Sequence, residues 1–232
     1  MSNSILFLLY YIIIIPKKVI TMFKDINLKK YKSLFITATN TDVGKTYACE
    51  KILLKLANDG FKVGYFKPFE TGVIDKPLDG SLMLDLTQTL NPDFLGVSIN
   101  DVVPYQFRLP AAPYIAKQNT KIDINFLLEK KEYLEQFCDI LIIEGAGGLL
   151  VPVEKDLFII DLIKKFEAHT VLIVPSNLGS INDTLLSQEA LTNRDINYTW
   201  MINLFKDKDT FEEVTLPFYK NYFKEIEFLD TI

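Results

Sequence analysis

Two short stretches of the chain are apolar at every position, namely residues 140–143 ("ILII") and 171–174 ("VLIV"). Successive side chains of a strand point to opposite faces, so a strand that is apolar throughout is buried on both faces. Such strands are typical of a parallel sheet with helices on either side. This pattern favours an α/β architecture for the 232-residue chain.

The flanking segments complete an alternation of strands and helices. Strands are predicted at 33–39, 62–68, 139–148, 170–176 and 198–205, and helices at 46–58, 79–90, 124–137, 156–167 and 181–193. Residues 96–120 are rich in proline and turn residues, and the C-terminus is rich in aromatic residues. Because no repeat or linker interrupts the alternation, we predict one α/β domain, with a mostly parallel sheet and helices on both faces.

The N-terminal segment stands apart from this pattern. Residues 5–15 ("ILFLLYYIIII") are apolar and are followed by Pro16 and two lysines. This run is shorter than the ~20 apolar residues of a spanning helix. It also lacks the positive start and small-residue cleavage site of a secretory signal. We therefore expect 1–21 to be an extension outside the fold and 22–232 to form the domain, with an interfacial anchor as the alternative.

The composition argues against several classes of function. The formal net charge is -5 without a large lysine or arginine block, whereas a general nucleic-acid binder needs a basic face. Cys49 and Cys138 are far apart and outside any C-x-x-C, which argues against a disulfide framework or zinc site and fits a reducing cytoplasm. The single histidine, His169, precedes a strand, and we interpret it as an ordinary residue there. Chemistry would then depend on lysine, threonine, carboxylates and a metal.

Residues 34–46 ("LFITATNTDVGKT") join the first predicted strand to the first predicted helix. Gly44, Lys45 and Thr46 match the end of the P-loop pattern, although the loop opens at Ala38 and not at a glycine. Backbone N–H groups of such a loop bind phosphate oxygens, its lysine reaches the β- and γ-phosphates, and its hydroxyl holds Mg²⁺. The segment therefore predicts a nucleoside triphosphate site.

Polar groups also follow the second and third predicted strands. The segment "KPFETG" carries Lys67 and Thr71, and Glu144 begins "EGAGG". Because ligands bind at the carboxyl ends of parallel strands, these residues should share a site with the loop. A glutamate that closes an apolar strand needs a metal or a cationic partner. Asp79 stands at a helix start, where spacing alone favours an ordinary N-cap.

Four motifs together resemble those of the dethiobiotin synthetases, the ATP-dependent carboxylase-cyclases of biotin synthesis. They are "TNTDVGKT", "KPFETG", "EGAGGLLVPV" and "NLGSINDTLL", in the family's order and spacing within 33–205. The resemblance implies a single P-loop NTPase domain of the α/β class that works as a homodimer. It also implies the substrates 7,8-diaminopelargonic acid, CO₂ from bicarbonate and ATP, with Mg²⁺ as the metal.

The chemistry implied by this resemblance has three steps. One amine of the substrate forms a carbamate, and the γ-phosphoryl group of ATP is then transferred to it. The second amine attacks the resulting carbamic-phosphoric anhydride and closes a ureido ring, and ADP and phosphate leave. Phosphoryl transfer depends mainly on positioning and charge neutralisation, so lysines and a metal suffice without histidine.

The resemblance also implies the roles of individual residues. Lys67 matches the family's catalytic lysine and Lys45 its P-loop lysine. The expected Mg²⁺ ligands are Thr46, Asp79 and Glu144, which replaces the N-cap interpretation of Asp79. The expected nucleotide-binding residues are Asp42, Val43, Gly44, Lys45, Thr46, Tyr47, Asp79, Glu144, Gly145, Ala146, Gly147, Asn203 and Leu204.

Further expected contacts involve the substrate and the base. Thr41, Thr71 and Asn182 are expected to contact the substrate, with Asn182 reaching across the dimer interface. Asn203 matches the family's base-contacting asparagine, but the residues after it do not align with the family's adenine-holding loop. This leaves the nucleotide preference open. Ala38 in place of the family's glycine separately leaves open the geometry of the phosphate loop and the affinity for the nucleotide.

Three other functions are compatible with part of the pattern. Partition- or septum-type switch ATPases share the fold, but their signature lysine near the start of the loop is missing from "ATNTDV" at 38–43. A cobyrinate-type amidase would need a glutaminase domain, for which no chain remains. A non-catalytic nucleotide binder would make Lys67 and Asp79 coincidences. We therefore predict a cytoplasmic synthetase that binds neither nucleic acid nor membrane.

Overall fold

The computed structural model describes residues 31–232. Its strands are β1 (Ser33–Ala38), β2 (Val63–Phe66), β3 (Phe69–Thr71), β4 (Tyr105–Phe107), β5 (Ile140–Gly148), β6 (Pro152–Glu154), β7 (Leu157–Phe158), β8 (His169–Pro175) and β9 (Tyr198–Asn203). Five of them form a parallel sheet in the order β2-β5-β1-β8-β9. The expected extension at 1–21 lies outside the described residues, so the domain boundary stays a prediction.

Helices lie between the strands and, in the case of the last two, after β9. They are α1 (Lys45–Asn58), α2 (Leu78–Leu90), α3 (Ile99–Val102), α4 (Pro113–Ala116), α5 (Ile124–Leu134), α6 (Ile159–Lys165), α7 (Ser180–Thr192), α8 (Lys208–Thr210) and α9 (Leu216–Tyr222). Short 3₁₀ helices occur at Pro92–Gly96 and Leu229–Thr231, and a π-helical turn at Phe211–Thr215. Within residues 31–232, none of the helices combines the length and apolarity needed to cross a bilayer.

The five predicted strands are confirmed, with shifts of a few residues at their ends. The predicted helix at 156–167 is wrong at its start, because Leu157–Phe158 pairs with Pro152–Glu154 as a hairpin before α6 begins. The periodicity of a short helix does not reveal such a pairing, which depends on a neighbouring segment. Residues 96–120, predicted as irregular, contain only short elements.

The core lies along the middle of the sheet. Every residue of β1 and of β8 is buried, so both faces of these strands are covered. On α1, Ala48, Ile52 and Leu56 recur at helical spacing and are fully buried. Full burial of a Leu or Ile side chain contributes roughly 1.5–3 kcal/mol, so this stripe holds the helix against the sheet.

The parallel register brings distant polar residues to one end of the sheet. Phe66 at the end of β2 pairs with Ile143 of β5, so the next residues, Lys67 and Glu144, come side by side. Glu144 itself is opposite Ile36 of β1, shortly before β1 ends. The carboxyl end of the sheet therefore collects these residues next to the loop that follows β1.

The aromatic C-terminus, which the sequence pattern leaves uninterpreted, packs along the edge strand β9. The rings of Trp200 and Tyr219 stack with centroids 5.8 Å apart, and the Tyr219 hydroxyl is 2.8 Å from Oγ1 of Thr184 on α7. Phe228 forms a parallel bridge with Ile202. This packing covers part of the exposed edge of the sheet, which would otherwise offer unpaired backbone groups.

Candidate active site

The loop after β1, residues 39–44, turns sharply into α1. Gly44 has φ 93°, in the left-handed region that favours glycine, and it precedes the first residue of the helix. A Cβ atom on Gly44 would lie 2.3 Å from Nδ2 of Asn203, and Nδ2 donates a hydrogen bond to the Val43 carbonyl at 2.8 Å. Glycine is therefore required at this position by both backbone conformation and space.

Ala38 does not strain the loop. It is the buried last residue of β1 and pairs with Gly148 and Ile173. Among the described residues, those other than glycine with a positive φ are Asp42, Gln118, Glu167, Asp195 and Asp207. The backbone at position 38 is thus accessible to alanine, and a glycine is not needed there for conformation.

Four of the predicted site residues form one network at the carboxyl end of the sheet. The Lys67 ammonium donates to Asp79 Oδ2 and to Glu144 Oε1, both at 2.8 Å. The Thr46 hydroxyl donates to Glu144 Oε1 at 2.9 Å and is 3.5 Å from Asp79 Oδ2. Lys67 and Glu144 are only 6% and 2% exposed. The structure therefore brings together the loop, the lysine and both carboxylates.

The two lysines differ in their electrostatic environments. Burial by itself lowers the pKa of Lys67, but the Glu144 and Asp79 carboxylates outweigh it and raise that pKa above its ordinary value. Burial lowers the pKa of Lys45, Glu144 partly opposes this, and the charge of Lys67 lowers it further. The Lys45 ammonium donates to the Asn40 carbonyl at 3.1 Å. Lys67 is therefore a fixed cation, whereas Lys45 gains stabilisation from any anion that enters the loop.

The donor set around Lys67 has the chemistry of a magnesium site. Thr46, Asp79 and Glu144 offer a hydroxyl and two carboxylates, the hard oxygen ligands that Mg²⁺ prefers. Within residues 31–232 there is no group of three or more His, Cys, Asp or Glu residues that could hold a metal. Mg²⁺ usually binds one or two carboxylates and completes its shell with water and substrate phosphates, so the residues present fit this ion.

Two side chains that sequence reasoning missed also contact the network. The Tyr65 hydroxyl donates to Glu144 Oε2 at 2.7 Å. The Glu70 carboxylate accepts the backbone N–H groups of Asp79 and Gly80, at 3.1 and 2.9 Å. The period of two along β2 places Tyr65 on the same side as Lys67, which is a usable signal. No sequence pattern pairs Glu70 with Asp79.

The N-cap interpretation of Asp79 is wrong in this structure. The N-cap position of α2 is occupied by Pro77, and Asp79 is the second helical residue. Its carboxylate is directed to Lys67 and Thr46 and makes no capping bond.

The remaining predicted residues lie at varying distances from the network. Gly145, Ala146 and Gly147 lie near the end of β5, and a Cβ atom on Gly147 would be 3.5 Å from Thr41 Oγ1. Tyr47 is 39% exposed on α1, next to the loop, and half-buried Leu204 follows β9. The structure places Thr71 at the end of β3 and Asn182 in the first turn of α7. Among the described residues, no hydrogen bond links either of them to Lys67.

Comparisons with known sequences place the chain among ATP-dependent enzymes. A family model described as an AAA domain matches residues 32–215. The ATP-dependent dethiobiotin synthetase BioD of Sulfurovum sp. (strain NBC37-1) is 52% identical over 191 residues, which cover 82% of this chain and 91% of that protein. The enzyme of the same name from Wolinella succinogenes is 43% identical over 192 residues, 82% of this chain and 88% of that protein.

Solved structures share the fold at much lower identity. The MinD cell division protein of Aquifex aeolicus has a TM-score of 0.51 and 20% identity, covering 85% of this chain and 80% of that chain. A plasmid partition protein from Borrelia burgdorferi has a TM-score of 0.51 and 14% identity, covering 85% and 88%. Identities this low indicate a common α/β fold and nothing about the reaction.

Proposed function

The chain belongs to the ATP-dependent dethiobiotin synthetase family, and from this premise we propose how its residues carry out the reaction. The enzyme is a ligase that uses ATP to join CO₂ to 7,8-diaminopelargonic acid and close the ring of dethiobiotin. The observation that carries the residue assignment is the buried Lys67, which lies between the Asp79 and Glu144 carboxylates beside the phosphate-binding loop.

The first two steps bring negatively charged groups together. An amine of the substrate attacks CO₂, loses a proton and becomes a carbamate anion. A carbamate oxygen then attacks the γ-phosphorus of ATP, and the bond from that phosphorus to the ADP oxygen breaks. Lys45, the first residue of α1, and Lys67 supply the positive charge that this approach of two anions requires.

In the third step the ring closes. The second amine attacks the carbonyl carbon of the mixed anhydride and loses a proton, while the carbon–oxygen bond to phosphate breaks and phosphate leaves with the electron pair. The raised pKa of Lys67, maintained against burial by two carboxylates, suits a cation that stabilises the departing phosphate. The same property makes Lys67 a poor general base.

Thr46, Asp79 and Glu144 are the residues that would hold Mg²⁺. When bound, this ion would supply further neutralisation of the phosphate charges. The Asp79 side chain is 51% exposed, whereas that of Glu144 is buried, and both carboxylates lie beside Lys67. The nucleotide phosphates would then occupy the loop at the N-terminus of α1, where backbone N–H groups attract anions.

We further propose that the enzyme is a cytoplasmic homodimer in which Asn182 contacts substrate bound to the other subunit. Asn182 is exposed at the start of α7, and its side chain donates a hydrogen bond to the neighbouring Asp183 at 3.3 Å. Leu178 and Leu186 nearby are 81% and 57% exposed, which supports a protein contact on this surface. Light scattering on a sizing column tests the dimer, and a monomer at micromolar concentration would contradict it.

The decisive experiment measures phosphate release by the full chain with Mg-ATP and bicarbonate, with and without 7,8-diaminopelargonic acid. Mass spectrometry follows dethiobiotin in the same samples. We expect phosphate release that requires the diamine and equals the dethiobiotin formed. ATP hydrolysis that does not depend on the diamine would instead support the alternative of a partition- or septum-type switch ATPase, a class with which this chain shares only the fold. Parallel reactions with other nucleoside triphosphates establish the nucleotide preference.

A further inference from the structure

We propose that Tyr65 and Glu70 are positioning residues. Each of them fixes the position of one of the two site carboxylates, those of Glu144 and Asp79. Tyr65 orients Glu144 by a direct hydrogen bond, and Glu70 orients Asp79 through the backbone of α2. This inference rests on the proposed function of the two carboxylates as Mg²⁺ ligands. Neither positioning residue belongs to the groups expected to touch the nucleotide, the metal or the substrate.

The Tyr65 hydroxyl gives the two carboxylate oxygens of Glu144 different hydrogen-bond partners. Tyr65 is completely buried, and its hydroxyl donates to Oε2 at 2.7 Å. Oε1 is left to face Lys67 and the Thr46 hydroxyl, at 2.8 and 2.9 Å. Without the phenol, Oε2 would be a buried carboxylate oxygen without its tyrosine donor, and the carboxylate could rotate about its terminal bond. Tyr65 therefore selects one oxygen of Glu144 for the site.

Glu70 acts on the opposite side through the first turn of α2. Glu70 is 8% exposed, and its carboxylate accepts two N–H groups, one from Asp79 itself and one from Gly80. The N-cap residue, Pro77, provides no side-chain bond, so a residue of β3 satisfies donors that a local cap ordinarily satisfies.

Gly80 explains how the carboxylate reaches this close. A Cβ atom at position 80 would be 3.1 Å from Glu70 Oε2 and 2.2 Å from a methyl carbon of Val103. The helix terminus is thus held between β3 and the Val103 side chain. Because the Asp79 carboxylate extends from this turn towards Lys67, a shift of the turn moves that carboxylate relative to Glu144.

The first arm of the test replaces Tyr65 by Phe, which removes one oxygen atom and keeps the ring. Tyr219→Phe is the matched control, since Tyr219 is also fully buried and its hydroxyl bonds to Thr184, in the C-terminal aromatic packing. Mn²⁺ binding to the full chain with a non-hydrolysable ATP analogue is followed by electron paramagnetic resonance. We expect Tyr65→Phe to weaken Mn²⁺ binding about tenfold, as loss of an outer-shell partner does. Tyr219→Phe should leave it unchanged.

The second arm compares Glu70→Ala and Glu70→Gln with Asp123→Ala. Asp123 is the matched control because its carboxylate also accepts two backbone N–H groups at a helix start, that of α5. Glu70→Ala should weaken Mn²⁺ binding and raise the Mg²⁺ concentration that half-saturates turnover, and Glu70→Gln should restore part of the loss by keeping one acceptor oxygen. Asp123→Ala should lower the melting temperature without changing either quantity.

The outcomes separate this inference from the proposed function. If wild type binds no Mn²⁺ with the nucleotide, the carboxylates are not metal ligands, and both proposals fail. If wild type binds Mn²⁺ and the Tyr65 and Glu70 variants match their controls, the metal assignment stands and the positioning roles are overturned. Circular dichroism melts accompany every variant. If Tyr65→Phe does not fold, the Glu70 variants still decide whether metal binding by the site carboxylates depends on a positioning residue.

Discussion

The two ends of the central sheet bury polar side chains in opposite ways. At the carboxyl end, Lys67 and Glu144 are buried together, with hydrogen bonds to each other and to Asp79, Thr46 and Tyr65. At the amino end, His169 begins β8 with 7% exposure, and its ring is tilted against that of Tyr31, with centroids 5.2 Å apart. Within residues 31–232, neither imidazole nitrogen has a hydrogen-bond partner.

The contrast separates buried polar side chains that serve a reaction from a buried polar side chain that only packs in the core. A buried ion pair is weak evidence for stability, because desolvation of both charges can exceed their attraction. The network of charges at the carboxyl end is therefore better explained by a reaction than by folding. The histidine, in contrast, begins β8, as predicted, and burial lowers its pKa, which favours the neutral ring. Mutations at the two ends should accordingly affect different measurements.

The largest effect should follow Lys67→Ala. Loss of the cation between the two carboxylates should reduce turnover about 10³-fold or more, the lower range for one cation at a phosphoryl-transfer site. Calorimetry should still detect nucleotide binding, because Lys45 and the loop remain. Lys131→Ala is the control, as Lys131 pairs with Glu135 on a helix away from the loop. Steady-state turnover equal to wild type would remove Lys67 from the mechanism.

Glu144→Gln should have the next largest effect. The substitution preserves shape but removes a buried charge, so half-saturation by Mg²⁺ should need at least about tenfold more metal, the lower range for altered metal sites. Turnover measured across an Mg²⁺ titration tests this. The control is Glu135→Gln, because Glu135 bonds to Ser33 at the opposite end of the sheet. An unaltered Mg²⁺ titration would show that Glu144 is not a ligand.

Asn203→Ala should affect nucleotide binding moderately. It removes the bond to the Val43 carbonyl and the contact over Gly44, so the KM for ATP should rise about five- to tenfold, the value of one buried hydrogen bond. Asn91→Ala is matched to it, since Asn91 is equally buried and bonds to the carbonyls of Val63 and Phe137. Asn91→Ala should lose stability and keep the wild-type KM for ATP. Equal KM values in the two variants would show that Asn203 has no specific role in nucleotide binding.

The smallest effect is expected from His169→Phe, and only on stability. Burial lowers the native pKa of His169, so below pH 6.5 the unfolded chain takes up a proton before the native protein does. Wild type should therefore lose stability as pH falls from 6.5 to the lower native pKa, with a slope from this residue of at most about 1.4 kcal/mol per pH unit.

Urea titrations of wild type and His169→Phe between pH 7.5 and 5 test this expectation. The free-energy difference between the two proteins should change in favour of the variant on acidification, because their other titrating groups are the same. Turnover at pH 7.5 should not change. A difference that is independent of pH would mean that the native imidazole protonates as easily as the unfolded one.

Much of the fold follows from patterns that are local in sequence. The continuous apolar strands predicted a parallel sheet, because burial on both faces leaves no polar side at all. The predicted start of the helix at 156–167 is wrong because Leu157–Phe158 pairs with another segment, and such a pairing leaves no local pattern in the sequence.

By itself, the sequence determined the strand–loop–helix setting of Gly44-Lys45-Thr46 and the placement of Lys67 and Glu144 at strand ends. Such placements need only the period of a segment and the rule that parallel strands present their ends together. The tertiary structure alone decided which atoms meet there. Tyr65 reaches Glu144 across 79 residues of chain, and Asn203 reaches Val43 across 160. Contacts at these separations depend on strand register and helix position, which no local pattern specifies.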